Sequence, residues 1–305
     1  MSMGGKIAGA GGDTIQIVVR IVRTDSAKES AMTTEMQARK PRLTDQQVQF
    51  YRREGYLLPR APVFPAPRFA ALQSLFEELL AQWLRAGISR SPEHMDVPHF
   101  REPRLFDWLF DDAVLDLVEP IIGPDIALWT SHFICKPAAV GKRVPWHEDS
   151  AYWKGRLEPM EVVTVWLAID PSTPANGCMQ VIPRTHHNGF SQYQNVADPE
   201  RAVFSAEIKA EEFDASKAVD CVLEPGQCSL HDGRLIHGSA ANTGTMRRCG
   251  YTMRYIPTTT RFIANGPHQI YLARGQDRAG NTYSDPTKPN KAWLDAYPDD
   301  QPAGH

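Results

Sequence analysis

Residues 227–256 read QCSLHDGRLIHGSAANTGTMRRCGYTMRYI, and the fold class turns on them. Three short runs, Gln227–His231, Arg234–His237 and Cys249–Ile256, are rich in apolar, β-branched and aromatic residues. Turn formers such as Asn242-Thr-Gly244 separate them, and no helical stretch intervenes. Upstream, Ile126–Lys136, Val162–Ile169 and Met179–Ile182 have the same texture, with turn signals at Pro174-Ala-Asn-Gly177 and Pro225-Gly226. Parallel strands need a crossover, usually helical, between them, so a parallel βαβ sheet is not expected. Many short strands joined by turns predict a sandwich or jelly roll.

Before Gly123 the chain reads as helical. Thr44 is placed to cap a helix from Asp45 to about Arg53, which Gly55 would end. Tyr56–Pro59 is expected to be extended. Phe69, Leu72, Leu75, Phe76, Leu79, Leu80 and Leu84 recur every three or four residues, which predicts one apolar stripe on a helix over Pro67–Ala86. Two shorter helices are expected within Arg104–Ile122. The expected organisation is a mobile tail over residues 1–42, a mainly β domain with an N-terminal helical layer over 43–260, and an irregular extension packed on the core over 261–305. Met32 and Met36 are alternative first residues, and residues 1–36, which lack periodic apolar content, are expected to be dispensable.

Composition narrows the function. The 305 residues are 42% hydrophobic and 23% charged, which excludes disorder for most of the chain. The formal net charge is −3 and no basic stripe stands out, so neither a nucleic-acid nor an anionic-membrane partner is expected. No apolar run approaches the ~20 residues that cross a bilayer. Five cysteines with no C-x-x-C speak against a disulfide framework or structural zinc and suggest a reducing, cytoplasmic setting. The expected partner is a small molecule, bound by a monomer or homodimer.

The densest group of potential metal ligands is Trp146-His147-Glu148-Asp149. On a strand, His147 and Asp149 share a face and Glu148 points away. With ten histidines in the chain, such a pair means little alone, and a solvated loop explains it as readily. A third ligand from His231 to Asn242, where both His231 and His237 are available, would complete two histidines and a carboxylate. That set forms the facial triad of non-haem Fe(II) oxygenases. Arg248 lies eleven positions beyond His237, across the turn at Asn242-Thr-Gly244. Both residues can face one interior, where a guanidinium needs an anionic partner such as a cosubstrate carboxylate.

From Leu43 to Pro257 these motifs resemble the phytanoyl-CoA dioxygenase-like family of Fe(II)- and 2-oxoglutarate-dependent oxygenases. The resemblance rests on Gly55-Tyr56, Lys136-Pro137, His147-x-Asp149, Trp166, Asn176-Gly177, Pro183 with His186, His237-Gly-Ser239 with Asn242, and Arg248. It implies a cupin-like double-stranded β-helix using Fe(II), 2-oxoglutarate and O2 to hydroxylate an aliphatic C–H, with release of succinate and CO2. It also implies that His147, Asp149 and His237 ligate iron and that Arg248, helped by Ser239, pairs with the distal carboxylate of 2-oxoglutarate. Trp153 matches an aromatic position near the cofactor in the ectoine hydroxylase branch, and Trp166 one that packs beside the cosubstrate. Asp149 stands where related halogenases carry a small residue, so hydroxylation is expected rather than halogenation. Two departures are Arg184-Thr185 in place of the usual Gly-Ser before His186, and Ile134-Cys135 where that branch has a polar residue.

His231 is the rival distal ligand but lacks the following Gly-Ser, so a supporting role is favoured. Arg254 shares strand parity with Arg248 and is expected in a structural ion pair. His186 and Lys136 read as structural, and His94 and His99 as solvated loop residues. Two readings compete with the oxygenase: a cupin-type metalloenzyme, isomerase or oxygenase, that does not use 2-oxoglutarate, and a non-catalytic β-sandwich binding module. The first has no need of a buried Arg248.

Overall fold

The computed structural model describes residues 42–87, 94–263 and 266–298. Apart from Arg42, the expected tail lies outside them. The first helix, Asp45–Glu54, is fixed at both ends by local chemistry. Thr44 Oγ1 accepts from Gln47 N–H while Gln47 Oε1 accepts from Thr44 N–H, a reciprocal cap. Gly55 ends it at φ 82°, and a Cβ there would stand 2.4 Å from the His186 ring. The second helix, Ala66–Ala86, buries Leu72, Leu75, Phe76, Leu79 and Trp83. Leu84, expected on that face, is exposed, because the buried spacing continues from Leu79 to Trp83. Asp112–Ile122 follows, capped by Asp111 and preceded by the single turn Phe106–Leu109.

Two main antiparallel sheets and two small two-stranded pairs, Leu157–Glu158 with Arg261–Phe262 and Tyr193–Asn195 with Ala206–Ile208, form the rest. The larger runs in the order Tyr56–Leu57, Cys228–Asp232, Val163–Ala168, Arg248–Pro257, Ile126–Lys136, Tyr271–Arg274, with His94–Asp96 also paired to Ile126–Lys136. The smaller runs Val219–Asp220, Met179–Val181, His237–Ser239, Val144–His147. This is the jelly roll with an N-terminal helical layer that the strand texture implies. Along Arg248–Pro257 every residue is buried, on two unlike faces. Cys249, Tyr251, Met253 and Tyr255 join the hydrophobic core with the helices. Arg248, Thr252 and Arg254 point to the interior cavity on the other side. The five cysteines are free and buried.

Three segments differ from expectation. Arg234–His237 is a turn, and the strand begins at His237. The Asp232 carboxylate accepts from Arg234 N–H at 2.9 Å and bends the chain there. Residues 261–263 and 266–298 hold more regular structure than an irregular extension. Tyr271–Arg274 pairs with residues 126–128, Arg261–Phe262 pairs with Leu157–Glu158, and Asn290 caps a helix over Lys291–Ala296. Strands of two to four residues owe their form to a neighbouring ladder and leave no periodic trace. Finally, His99 is fully buried against Ser131, and residues 94–96 form a strand; the His94 side chain lies outside the described residues. Among the described residues no helix is long and apolar enough to cross a membrane.

Candidate active site

His147 closes the strand Val144–His147, and its register partner on the neighbouring strand is His237. Asp149 opens the tight turn Asp149–Trp153 immediately after. The ligand atoms of these three side chains lie within 4.8 Å of one another, and the imidazole centroids are 4.1 Å apart. Each Nδ1–H donates at 2.8 Å to a carbonyl two residues back, Pro145 for His147 and Leu235 for His237. That bond leaves each Nε2 a bare lone pair and fixes the ring that carries it. Glu148 points away, as strand parity demands, and accepts from Ser191 N–H at 2.7 Å.

The electrostatics suit a cation. Burial pulls His147 down to about 3 and lowers His237, so both are neutral ligands near pH 7. Burial opposes ionisation of Asp149, yet the Arg254 guanidinium and nearby histidines hold its carboxyl well below the usual range. Two neutral imidazole nitrogens and one carboxylate oxygen, converging on a cavity, fit a six-coordinate metal that keeps three open positions.

Arg248 enters the same cavity from the facing sheet and is 2% exposed. Its Nε and Nη2 donate to Gly177 O at 3.2 and 2.8 Å, and Nη2 also donates to Ser239 Oγ at 3.3 Å. Trp166 lies beneath the guanidinium, 5.3 Å from its carbon. Among the described residues no carboxylate pairs with Arg248, and burial draws it down to about 10. A buried cation with only neutral partners is costly unless an anion completes the site.

The cavity around these groups measures about 560 Å³ and adjoins a second of about 480 Å³. The first holds His147, Asp149, His237, Arg248, Ser239 and Trp166. The second is lined by Trp153, Tyr152, His132 and Asp96 among others, while Asp149, Arg254, Phe204 and Ile134 border both. Trp153 therefore stands at the second chamber, with Arg254 over its ring at 5.3 Å. His231 is buried with its ring 4.9 Å from that of His237, and it lies outside the three-residue ligand group.

Phe204, Asp96 and His132 are residues that sequence reasoning missed. Phe204 sits 4.9 Å from the His147 ring, in the segment joining strands Tyr193–Asn195 and Ala206–Ile208. Arg143 ties that hairpin down through Asp198 in the connection and Glu207 on the strand Ala206–Ile208. A lone aromatic in a polar connection carries no periodic signal. Asp96 and His132 pair with each other across a wide sequence separation.

An antiparallel jelly roll with a His, Asp, His group at its mouth and a buried guanidinium opposite defines the non-haem iron oxygenases that use 2-oxoglutarate. The profile of the phytanoyl-CoA dioxygenase family matches residues 51–250. A probable phytanoyl-CoA dioxygenase of Caenorhabditis elegans is 30% identical over 231 residues, 66% of this chain and 71% of that protein. A homologue in Dictyostelium discoideum of phytanoyl-CoA dioxygenase domain-containing protein 1 is matched over 63% of its length. The non-heme monooxygenase ThoJ, in its apo form, superposes with a TM-score of 0.65 at 24% identity, covering 83% of this chain and 92% of ThoJ. EctD from S. alaskensis, with 2-oxoglutarate and 5-hydroxyectoine, gives 0.62 at 21% identity over 74% and 80%. At such identities these two structures establish the fold alone. The chain belongs to the phytanoyl-CoA dioxygenase family and is an iron- and 2-oxoglutarate-dependent oxygenase.

Proposed function

We propose that the protein hydroxylates an aliphatic C–H bond of a small molecule, consuming O2 and 2-oxoglutarate and releasing succinate and CO2. The observation that carries this reading is Arg248: a buried guanidinium, lacking a carboxylate partner among the described residues, in the cavity that holds His147, Asp149 and His237. In this reading those three residues hold Fe(II). When bound, the iron supplies the oxidising power by activating dioxygen at the expense of 2-oxoglutarate. Arg248 and Ser239 receive the distal carboxylate and thereby set the depth and orientation of the cosubstrate. Trp166 stacks under Arg248 and keeps water from it.

The second chamber suits the prime substrate, because it meets the first at Asp149 and has aromatic walls in Trp153, Tyr152 and Phe204. A cupin-type enzyme working without 2-oxoglutarate leaves Arg248 unexplained, and a non-catalytic module leaves the oriented imidazoles unexplained. The test is anaerobic equilibrium dialysis with Fe(II) and 2-oxoglutarate, followed by a screen for substrate-stimulated succinate release. Saturable binding of both ligands is expected; Fe(II) binding without 2-oxoglutarate binding would favour the cupin alternative.

A further inference from the structure

We infer that Arg254 is a positioning residue for the metal centre: it clamps the Asp149 carboxylate, and His132 with Asp96 braces it from the second chamber. The inference rests on the metal-site reading above. Arg254 Nε donates to Asp149 Oδ2 at 3.0 Å and Nη2 to Oδ1 at 3.3 Å, with both side chains 8% exposed. One planar fork thus spans both carboxylate oxygens and resists their rotation. The third nitrogen, Nη1, donates to His132 Nδ1. An arginine only donates, so Nδ1 carries the lone pair and the ring proton sits on Nε2. His132 Nε2 is in turn paired with Asp96 Oδ1. The Trp153 ring lies under the guanidinium, 5.3 Å from its carbon.

Asp96, His132, Arg254 and Asp149 thus form one continuous row of polar contacts from the wall of the second chamber to the metal group. Two physical effects oppose each other at Arg254. As a positive charge it repels a nearby metal cation, so removing it would tighten metal binding. As a clamp it holds the carboxylate in place, so removing it would weaken binding. The clamp is expected to win because the charge is already matched by Asp149, whereas no other described group holds both carboxylate oxygens.

The experiment is anaerobic titration of the full chain with Fe(II), and separately with Co(II), comparing wild type with Arg254→Met, Arg254→Lys and His132→Phe. Folding is checked by melting temperature. Arg254→Met should weaken metal binding about 10- to 100-fold, the range for residues that orient ligands. Arg254→Lys should recover part of the loss. His132→Phe, which keeps the guanidinium but removes its brace, should show a smaller loss of the same sign. The affinity for 2-oxoglutarate at saturating metal should stay near wild type in all three. Unchanged or tighter metal binding in folded Arg254→Met and Arg254→Lys overturns the inference. Should those variants not fold, unchanged metal binding in His132→Phe overturns it. Failure of the wild type to bind Fe(II) would instead sink the metal-site reading itself.

Discussion

The proposal that His237 rather than His231 is the distal metal ligand rests on one hydrogen bond that each side chain does or does not make. His237 Nδ1 donates to Leu235 O and thereby points its Nε2 at Asp149 and His147, whereas His231 Nδ1 is buried without a partner. His237→Ala should therefore abolish Fe(II) retention, and His231→Ala should leave it, as measured by metal content after anaerobic loading. The reverse pattern would refute the assignment. Arg248→Lys keeps the charge but not the planar fork. Losing one charge-assisted hydrogen bond, about 1.5–3 kcal/mol, should weaken 2-oxoglutarate binding roughly 10- to 150-fold with little change in Fe(II) affinity. Titrating both ligands against variant and wild type checks it; equal 2-oxoglutarate affinities would remove Arg248 from the cosubstrate site.

At the level of elements, the site depends on how closely two strands approach through one glycine. Gly250 lies between Arg248 and Thr252 on the cavity side, opposite Ala168, and a Cβ there would meet the Trp166 ring at 2.1–2.6 Å. Trp166 has to move if Gly250 becomes alanine, and Arg248 loses the ring beneath it. Gly250→Ala should cost about 1–3 kcal/mol of stability through overpacking and also weaken 2-oxoglutarate binding. Urea unfolding beside a 2-oxoglutarate titration reads both effects, and a variant matching wild type in each would show that Trp166 has room to move. The helices are more tolerant, since their caps and apolar faces are set locally.

Across the whole molecule, burial of neutral histidines makes the metal-free protein acid-sensitive. Burial lowers His99, His147, His231, His237 and His268, with His147 and His268 reaching about 3. The unfolded chain takes up those protons near pH 6.5 while the folded chain does not. Stability is thus full above about pH 6.5 and lost progressively as pH falls towards about 3. The melting temperature of the metal-free protein should drop between about pH 7.5 and about pH 5, and Fe(II) should raise it less at the lower pH, because protons compete for the ligands. A flat profile over that range would contradict the histidine burial described here. Local chemistry was enough for a sandwich or jelly roll, for the capped helix after Thr44, for pairing His147 with Asp149 and for turning Arg248 inward, while the family resemblance singled out His237 and Ser239. Strand parity, turn residues and motif spacing act within a dozen residues, so they can be read along the chain. Tertiary structure decided the rest: the edge strand Tyr271–Arg274, the burial of His99, the placing of Phe204 over His147, and the link from Asp96 through His132 and Arg254 to Asp149. Those depend on contacts between residues 30 or more positions apart, whose partners are chosen by packing and not by any local preference.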